Sequence, residues 1–414
     1  VTGDPDQAIY SWRGADYSNI MSFTKDFPEA RVVKLEQNYR STPTILNAAN
    51  TLMENNLNRF PKRLFTRNPD GMPIVCASTE GDKEEAEWIS RKVRRIMQDS
   101  CALNEMAVLY RTNAQSRVIE EAFVKAGIPY QLLGGLRFYD RKEIRDFLAL
   151  LRVRVNPGDL AAWKRIRESN PVSEGLGPKS WSTLQAEADA AGAPLLDYLA
   201  GDEFQAAQCR GKSRKAQNLL RLSRWCRALR EIPLFPLTEC VKAIDKMTGF
   251  SDGLEASYGK ESAEQRQENL ASLMGRVEAF AKDEPEGDLR AFLQDVALVA
   301  DVDDHDAEGN KVVLMTLHAA KGLEFSVVFI AGMDDGLLPH QRALDSYDNN
   351  ALEEERRLFN VGLTRARKVL YLSRANFRFT NGSGKFHVPS RFLRELPPNL
   401  VRSISYIRGR EIKD

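Results

Sequence analysis

Two short apolar runs, Val312-Val313-Leu314-Met315 and Val327-Val328-Phe329-Ile330, constrain this chain more than any other feature. Both read as buried strands. The ten residues between them, Thr316-Leu317-His318-Ala319-Ala320-Lys321-Gly322-Leu323-Glu324-Phe325, bring together a His, a Lys, a Gly and a Glu. Two buried strands joined by such a loop point to an open α/β sheet, in which ligands bind outside the carboxyl ends of the strands. By spacing alone the loop is either that functional loop or an ordinary solvated connection.

The flanking sequence supports a parallel sheet. Candidate strands cover residues 31–35, 73–78, 106–110 and 369–373. Candidate helices cover 43–55, 83–98, 114–126 and 352–367, and strands alternating with helices imply parallel pairing. Ser41 or Thr42 supplies an N-cap for the first of these helices, with Pro43 at its first position. In the last, Glu353-Glu354-Glu355 precede Arg365 and Arg367, which suits the helix dipole. Gly134-Gly135 marks a boundary, after which helical periodicity dominates to about residue 306. Helices are predicted there over 141–154, 160–168, 179–191, 215–230, 236–248, 263–282 and 289–298. The fold expected is α/β, a parallel sheet domain with a large all-helical domain inserted in it.

Bulk properties exclude several classes. The 414 residues allow two to three domains and a sizeable core. A net charge of +1 argues against a generally basic coat, so any nucleic-acid site is a local groove. No apolar run approaches the roughly 18 residues of a membrane span, and no leader pattern is present. The five Cys are scattered without a C-x-x-C pair, and the four His do not join them. This fits reduced, buried thiols in a cytoplasmic protein, with no metal held by protein ligands.

Four stretches carry a family resemblance. They are Gly3-Asp4-Pro5-Asp6-Gln7-Ala8-Ile9-Tyr10-Ser11-Trp12-Arg13-Gly14-Ala15, Asn38-Tyr39-Arg40-Ser41, the ten residues from Thr316, and the run from Glu353 to Ala366. Their order and patterns resemble motifs III, IV, V and VI of superfamily 1 DNA helicases of the UvrD/Rep/PcrA type, over nearly the whole length from motif III onward. The resemblance implies a RecA-like sheet domain. It implies that Gln7 senses a nucleotide γ-phosphate, Tyr39 stacks on adenine, Arg40 and Arg365 act as arginine fingers, and Glu324 holds the ribose. Tyr10, Trp12 and Arg13 would line a single-stranded DNA path, and His318 and Lys321 would couple nucleotide state to DNA grip. A Trp beside an Arg in a polar loop suits base stacking, worth roughly 1–3 kcal/mol per base. The competing interpretations are Trp12 as a core anchor and Arg40 in a strand-end salt bridge. Ala8 stands where Ser is usual, Asn360 where an aromatic is common, and Asn381 replaces an aromatic that touches DNA.

Within the inserted region, 135–146 resembles the family segment that opens the insertion. Asn170 to Gly177 resembles a G-I-G turn whose glycines, Gly175 and Gly177, hold duplex backbone. Residues 210–230 carry Lys212, Arg214, Lys215, Arg221, Arg224 and Arg227 and no acid. They form either a solvated amphipathic helix or a duplex-DNA or partner-protein surface.

The family's phosphate loop, G-x-x-x-x-G-K-[ST], does not occur; Gly211-Lys212-Ser213 fails because Ala206 stands where the first Gly belongs. The resemblance therefore implies a carboxyl-terminal part. Residues 1–30 would end a first RecA-like domain, 31–133 and 307–400 form the second, 134–306 the helical insertion and 401–414 a tail. ATP with Mg2+ would bind against an upstream domain that holds the metal ligands. Expected partners are that domain, single-stranded DNA, single/double-strand junctions and repair or replication proteins, in the cytoplasm at the nucleoid. The alternatives are a DNA- or partner-binding module without ATPase activity and a helicase–nuclease subunit.

Overall fold

The structure, a computed structural model, describes residues 2–10, 22–23, 25–57, 59, 61–99, 101–133, 136–301, 309–380 and 383–413. The chain divides into two compact units, one formed by Val1–Arg137 with Asp303–Asp414 and the other by Phe138–Val302.

The first unit is built on a sheet of nine described strands. These are β1 (Ile74–Gly81), β2 (Met106–Tyr110), β3 (Tyr130–Leu133), β4 (Val312–Thr316), β5 (Phe325–Ile330), β6 (Ala366–Thr380), β7 (Ser383–Phe386), β8 (Val401–Ile407) and β9 (Arg410–Lys413). Their order is β3-β4-β2-β5-β6-β1-β8-β9, with β7 on β6. Pairing is parallel from β3 through β8, while β7 and β9 join antiparallel. The central strands β2 and β5 are buried at every position, which is why such runs are continuously apolar rather than alternating. Alternate residues serve opposite faces. Ala107 and Leu109 join one core with Ile45, Leu52 and Phe359, whereas Met106, Val108 and Tyr110 join the other with Trp88, Ile89 and Phe123. Helices thus cover both faces of a mostly parallel, RecA-like sheet.

The second unit is helical throughout its described secondary structure. Helix Lys142–Val155 runs through its core, Trp163 and Trp181 lie 5.9 Å apart, and Leu222, Cys226 and Leu229 are fully buried on helix Arg214–Glu231. Helices Leu195–Ala200, Asp202–Cys209 and Phe250–Tyr258 were not expected, because six to nine residues barely display a helical period. Cys226 and Cys240 are buried as expected, but Cys209 is exposed. No described helix is long and apolar enough to cross a membrane.

Several expectations fail in the sheet unit, each for a physical reason. Residues 31–35 form no strand, and Val33 and Leu35 are 68% and 82% exposed. Among the described residues their β-propensity finds no partner strand, and nearby Gln37 makes an isolated bridge to Phe65. Residues 401–413, expected as part of a tail, form β8, which lies parallel to β1, and β9. Strand β6 extends far beyond 369–373, since Arg374 and Arg378 continue it and their charge hid it. The final helix is Asn349–Leu363, with Asp348 as N-cap, so Glu353, Glu354 and Glu355 sit in its middle, Arg365 and Arg367 lie beyond its end, and the dipole account does not hold. Tertiary ion pairs hold that run instead: Arg111 with Glu355 at 2.7 Å and Arg356 with Glu395 at 2.7 Å.

Candidate functional site

The site begins with a turn. The Asn38 Oδ1 accepts the backbone N–H groups of Arg40 and Ser41 at 2.8 and 2.9 Å, which fixes the chain just before helix Pro43–Met53. Ser41 Oγ donates to the Ala366 carbonyl at 2.7 Å and ties this turn to the start of β6. Arg40 then reaches two other motifs. Its Nε meets Glu324 Oε2 at 2.5 Å, and its Nη1 donates to the Thr364 carbonyl at 3.2 Å. Tyr39, beside it, is 79% exposed.

Arg365 follows the end of helix Asn349–Leu363, where the Thr364 hydroxyl donates back to the Asn360 carbonyl at 2.9 Å. The Arg365 guanidinium donates to the carbonyls of Val361 and Leu323, both at 3.0 Å, and to Thr364 Oγ1 at 3.2 Å. It is only 2% exposed, and among the described residues no carboxylate pairs with it. Burial, reinforced by the Arg40 charge, lowers its pKa to about 10. The Glu324 pKa is lowered as well, but in its case this favours the charged form: the carboxyl is held below its ordinary range chiefly by the hydrogen bond from Arg40. Arg367 adds a weaker contact to Glu324 at 3.6 Å.

The motif III segment forms the facing wall. Asp4 caps a short turn by accepting the Asp6 N–H at 3.0 Å, and Gln7 Nε2 donates to Asp4 Oδ2 at 2.7 Å. The helix of motif VI holds this turn: Arg357 Nε donates to the Ala8 carbonyl at 2.9 Å and Asn360 Nδ2 to the Asp6 carbonyl at 3.2 Å. Phe359 turns inward and stacks on Phe392, which leaves Asn360 facing motif III where an aromatic would be common. Gln7, Arg40 and Arg365 line one cleft.

Arg59 and Lys62 also line this cleft, and sequence reasoning missed them. Arg59 lies 3.7 Å and Lys62 3.2 Å from Asp6. Two cations in a polar loop carry no periodic signal; only their contact with motif III reveals them.

Motif V bridges the cleft to a second cluster. Lys321 Nζ donates to the Gln7 carbonyl at 2.8 Å and lies 5.4 Å from the Tyr10 ring. Tyr10 Oη donates to the His318 carbonyl at 3.0 Å. Tyr10, His318 and Lys321 are therefore neighbours, directly behind Gln7. Trp12 and Arg13 lie outside the described residues.

The cleft is not where the open-sheet rule placed it. Arg365 and Glu324 immediately precede β6 and β5, and Phe325 pairs with Ala366. Both side chains thus stand at the amino ends of parallel strands. In the helical unit, Gly175 adopts φ +78° and Gly177 caps helix Pro178–Ala190. A Cβ on Gly175 would meet Asn218 Nδ2 at 2.2 Å.

Comparison with known proteins identifies the family. Residues 33–376 match the UvrD-like helicase C-terminal domain, and residues 1–28 match the UvrD/REP helicase N-terminal domain. The ATP-dependent DNA helicase PcrA of Staphylococcus epidermidis is 42% identical over 411 residues, covering 97% of this chain and 55% of that protein. The PcrA of Staphylococcus aureus is 42% identical over 409 residues, covering 98% of this chain and 55% of that protein. The chain thus spans about half the length of the curated relatives it matches. With a family match over residues 33–376 and a mostly parallel, RecA-like sheet, the chain belongs to the UvrD-like helicase family.

Proposed function

We propose that this chain is the carboxyl-terminal portion of an ATP-dependent 3′–5′ DNA helicase or translocase that works in DNA repair or replication. The observation that carries this reading is the meeting of Arg40, Arg365 and Gln7 around one cleft. A buried guanidinium with carbonyl and hydroxyl partners, beside a second guanidinium on a partly exposed carboxylate, fits a polyphosphate.

When bound, ATP supplies a phosphoanhydride whose cleavage drives movement, with Mg2+ held by residues of an upstream RecA-like domain. Tyr39, free to solvent on one face, stacks on the adenine. Arg40 and Arg365 neutralise charge on the phosphoryl group, an effect of order 10³–10⁵ in rate for such fingers. Gln7 contacts the terminal phosphate from the opposite wall. Arg40 turning to phosphate frees Glu324 to accept a ribose hydroxyl. Because Lys321 binds the Gln7 carbonyl and Tyr10 the His318 carbonyl, a shift at the cleft reaches the DNA-facing cluster through two hydrogen bonds. Trp12 and Arg13 extend that cluster along single-stranded DNA. Gly175 and Gly177 hold the backbone of the duplex ahead. The protein works in the cytoplasm at the nucleoid.

DNA-stimulated ATP hydrolysis tests this, measured on the chain alone and mixed with a matching first RecA-like domain. Turnover only in the mixture is expected. Turnover by the chain alone would mean a complete phosphate site within it and would overturn the split-site reading. The absence of a phosphate loop from the 414 residues favours a second reading, a DNA-binding module without turnover. Salt-dependent DNA binding with no hydrolysis in the mixture would put that reading first.

A further inference from the structure

Residues 210–230 hold eight basic residues and no acid. The whole chain has a net charge of +1, so the remainder carries −7 by difference (+1 − 8). This is a local concentration of charge on an otherwise acidic chain. Helix Arg214–Glu231 divides its arginines between two roles. Arg227 pairs with Asp202, and Arg230 lies 3.3 Å from Asp197. Both fasten the helix to its own unit. Arg214, Arg221 and Arg224 are exposed and pair with no carboxylate among the described residues.

Their spacing of seven and three residues places these three on one face, opposite the buried stripe of Leu219, Leu222, Cys226 and Leu229. At 1.5 Å per residue the row is about 15 Å long, the rise of roughly four base pairs. It also abuts the glycine turn. Arg221 Nη2 donates to the Glu174 carbonyl at 2.7 Å, and Asn218 Nδ2 reaches the Gly175 carbonyl at 3.5 Å. Lys179 is exposed in the first turn of the helix that Gly177 caps, and no side chain caps that helix.

We infer that Arg214, Arg221 and Arg224 continue the Gly175–Gly177 turn into one track for the sugar-phosphate backbone of duplex nucleic acid. This rests on the reading of the turn as a duplex contact, and extends it to a helix that carries no glycine motif. A duplex fits better than single strands, since the row is charged and its one neighbouring aromatic, Trp225, packs against the helical core instead of standing free for bases to stack on.

The test is a salt titration of binding by this chain, using a 3′-tailed duplex and a single strand of equal length. Arg214→Gln/Arg224→Gln leaves Arg221 on the turn, and thermal melting verifies the fold. The slope of log K against log salt for the tailed duplex is expected to fall by about 1.8, at about 0.9 for each phosphate no longer neutralised. Single-strand binding is expected to stay unchanged. An unchanged duplex slope, or equal reductions on both substrates, would overturn the inference. Gly177→Val, whose Cβ would meet nothing within 4 Å, separates the two ideas. If it weakens duplex binding while the arginine variant does not, the turn reading stands and the track is refuted. If only the arginine variant weakens it, the arginines bind duplex without the turn and the shared track is refuted. If neither does, both fall and an acidic protein becomes the better partner for the row.

Discussion

The two ends of β6 carry buried arginines that live in opposite circumstances. Arg378, near the carboxyl end, is 4% exposed and lies 2.6 Å from Glu85 and 2.7 Å from Asp334. Glu85 also accepts from the Gly332 N–H and the Ser373 hydroxyl, and Arg374 approaches Asp334 at 3.4 Å. Burial works against the charge on Arg378, but the two carboxylates outweigh it and its pKa is raised. Arg365, just before the amino end, has carbonyls and a hydroxyl in place of carboxylates, and its pKa is lowered. One edge of the sheet is thus electrostatically closed, and the other is left positive. A closed network stabilises or specifies a fold; an uncompensated guanidinium at a cleft is an anion site in waiting. That difference explains why the cleft departs from the carboxyl-end rule: over β1, β5 and β6 the carboxyl end is sealed by its own ions.

The largest effect belongs to the open edge. In the chain combined with its first RecA-like domain, Arg365→Ala is expected to lower DNA-stimulated turnover about 10³- to 10⁵-fold while leaving single-strand affinity intact. Unchanged turnover would remove the functional half of the contrast. At the closed edge, Arg378→Met leaves two buried carboxylates short of a partner. Denaturant unfolding is expected to show a loss of about 3–5 kcal/mol, with Arg365→Met losing clearly less. Equal losses would make both arginines structural.

Tyr39 sharpens the contrast further. Tyr39→Ala is expected to cost about 1–3 kcal/mol of base stacking, which raises the KM for ATP about 5- to 150-fold, whereas Tyr39→Phe changes little. Equal KM values for the two variants would exclude stacking.

The smallest effects appear in the pH dependence of stability. Burial disfavours the Glu355 charge, but the charge and hydrogen bonds of Arg111 outweigh it, so the folded pKa lies below the ordinary 4.5. Its contribution is present above 4.5 and is lost as pH falls through the folded value. Asp334 has the opposite sign. Burial raises it above 3.8, Arg378 only partly offsetting this, so its contribution is full below 3.8 and is lost as pH rises through the raised value. Unfolding midpoints measured from pH 3 to 6 should therefore flatten at the acid end in Glu355→Gln and steepen there in Asp334→Asn. A shift of the same sign in both would contradict the assignment.

Much of the cleft was legible in advance because its residues sit in contiguous, specific runs. Arg40, Arg365 and Gln7 were named from motif order, and the structure brings all three together. The partner of Glu324 was not legible. Its contact with Arg40 spans 284 positions and depends on strand register. Arg59 and Lys62 were missed for the same reason, and Asp4 and Asp6 gained meaning only through them. In the fold, β2, β4 and β5 announced themselves as apolar runs, and β8 did not, because its pattern alternates at the sheet's flank.

Local composition determined by itself the buried strands β2, β4 and β5, the longer helices and the runs that carry the family's chemistry, because side-chain period and motif spacing are properties of neighbours along the chain. Tertiary structure alone decided which charges meet. Arg365 and Arg378 are the same residue type, thirteen positions apart and almost equally buried. Only the segments that follow the neighbouring strands, the helix Asp82–Gln98 with Glu85 and the loop after β5 with Asp334, supply carboxylates to one and leave the other without, since a buried charge takes its character from the groups around it in space.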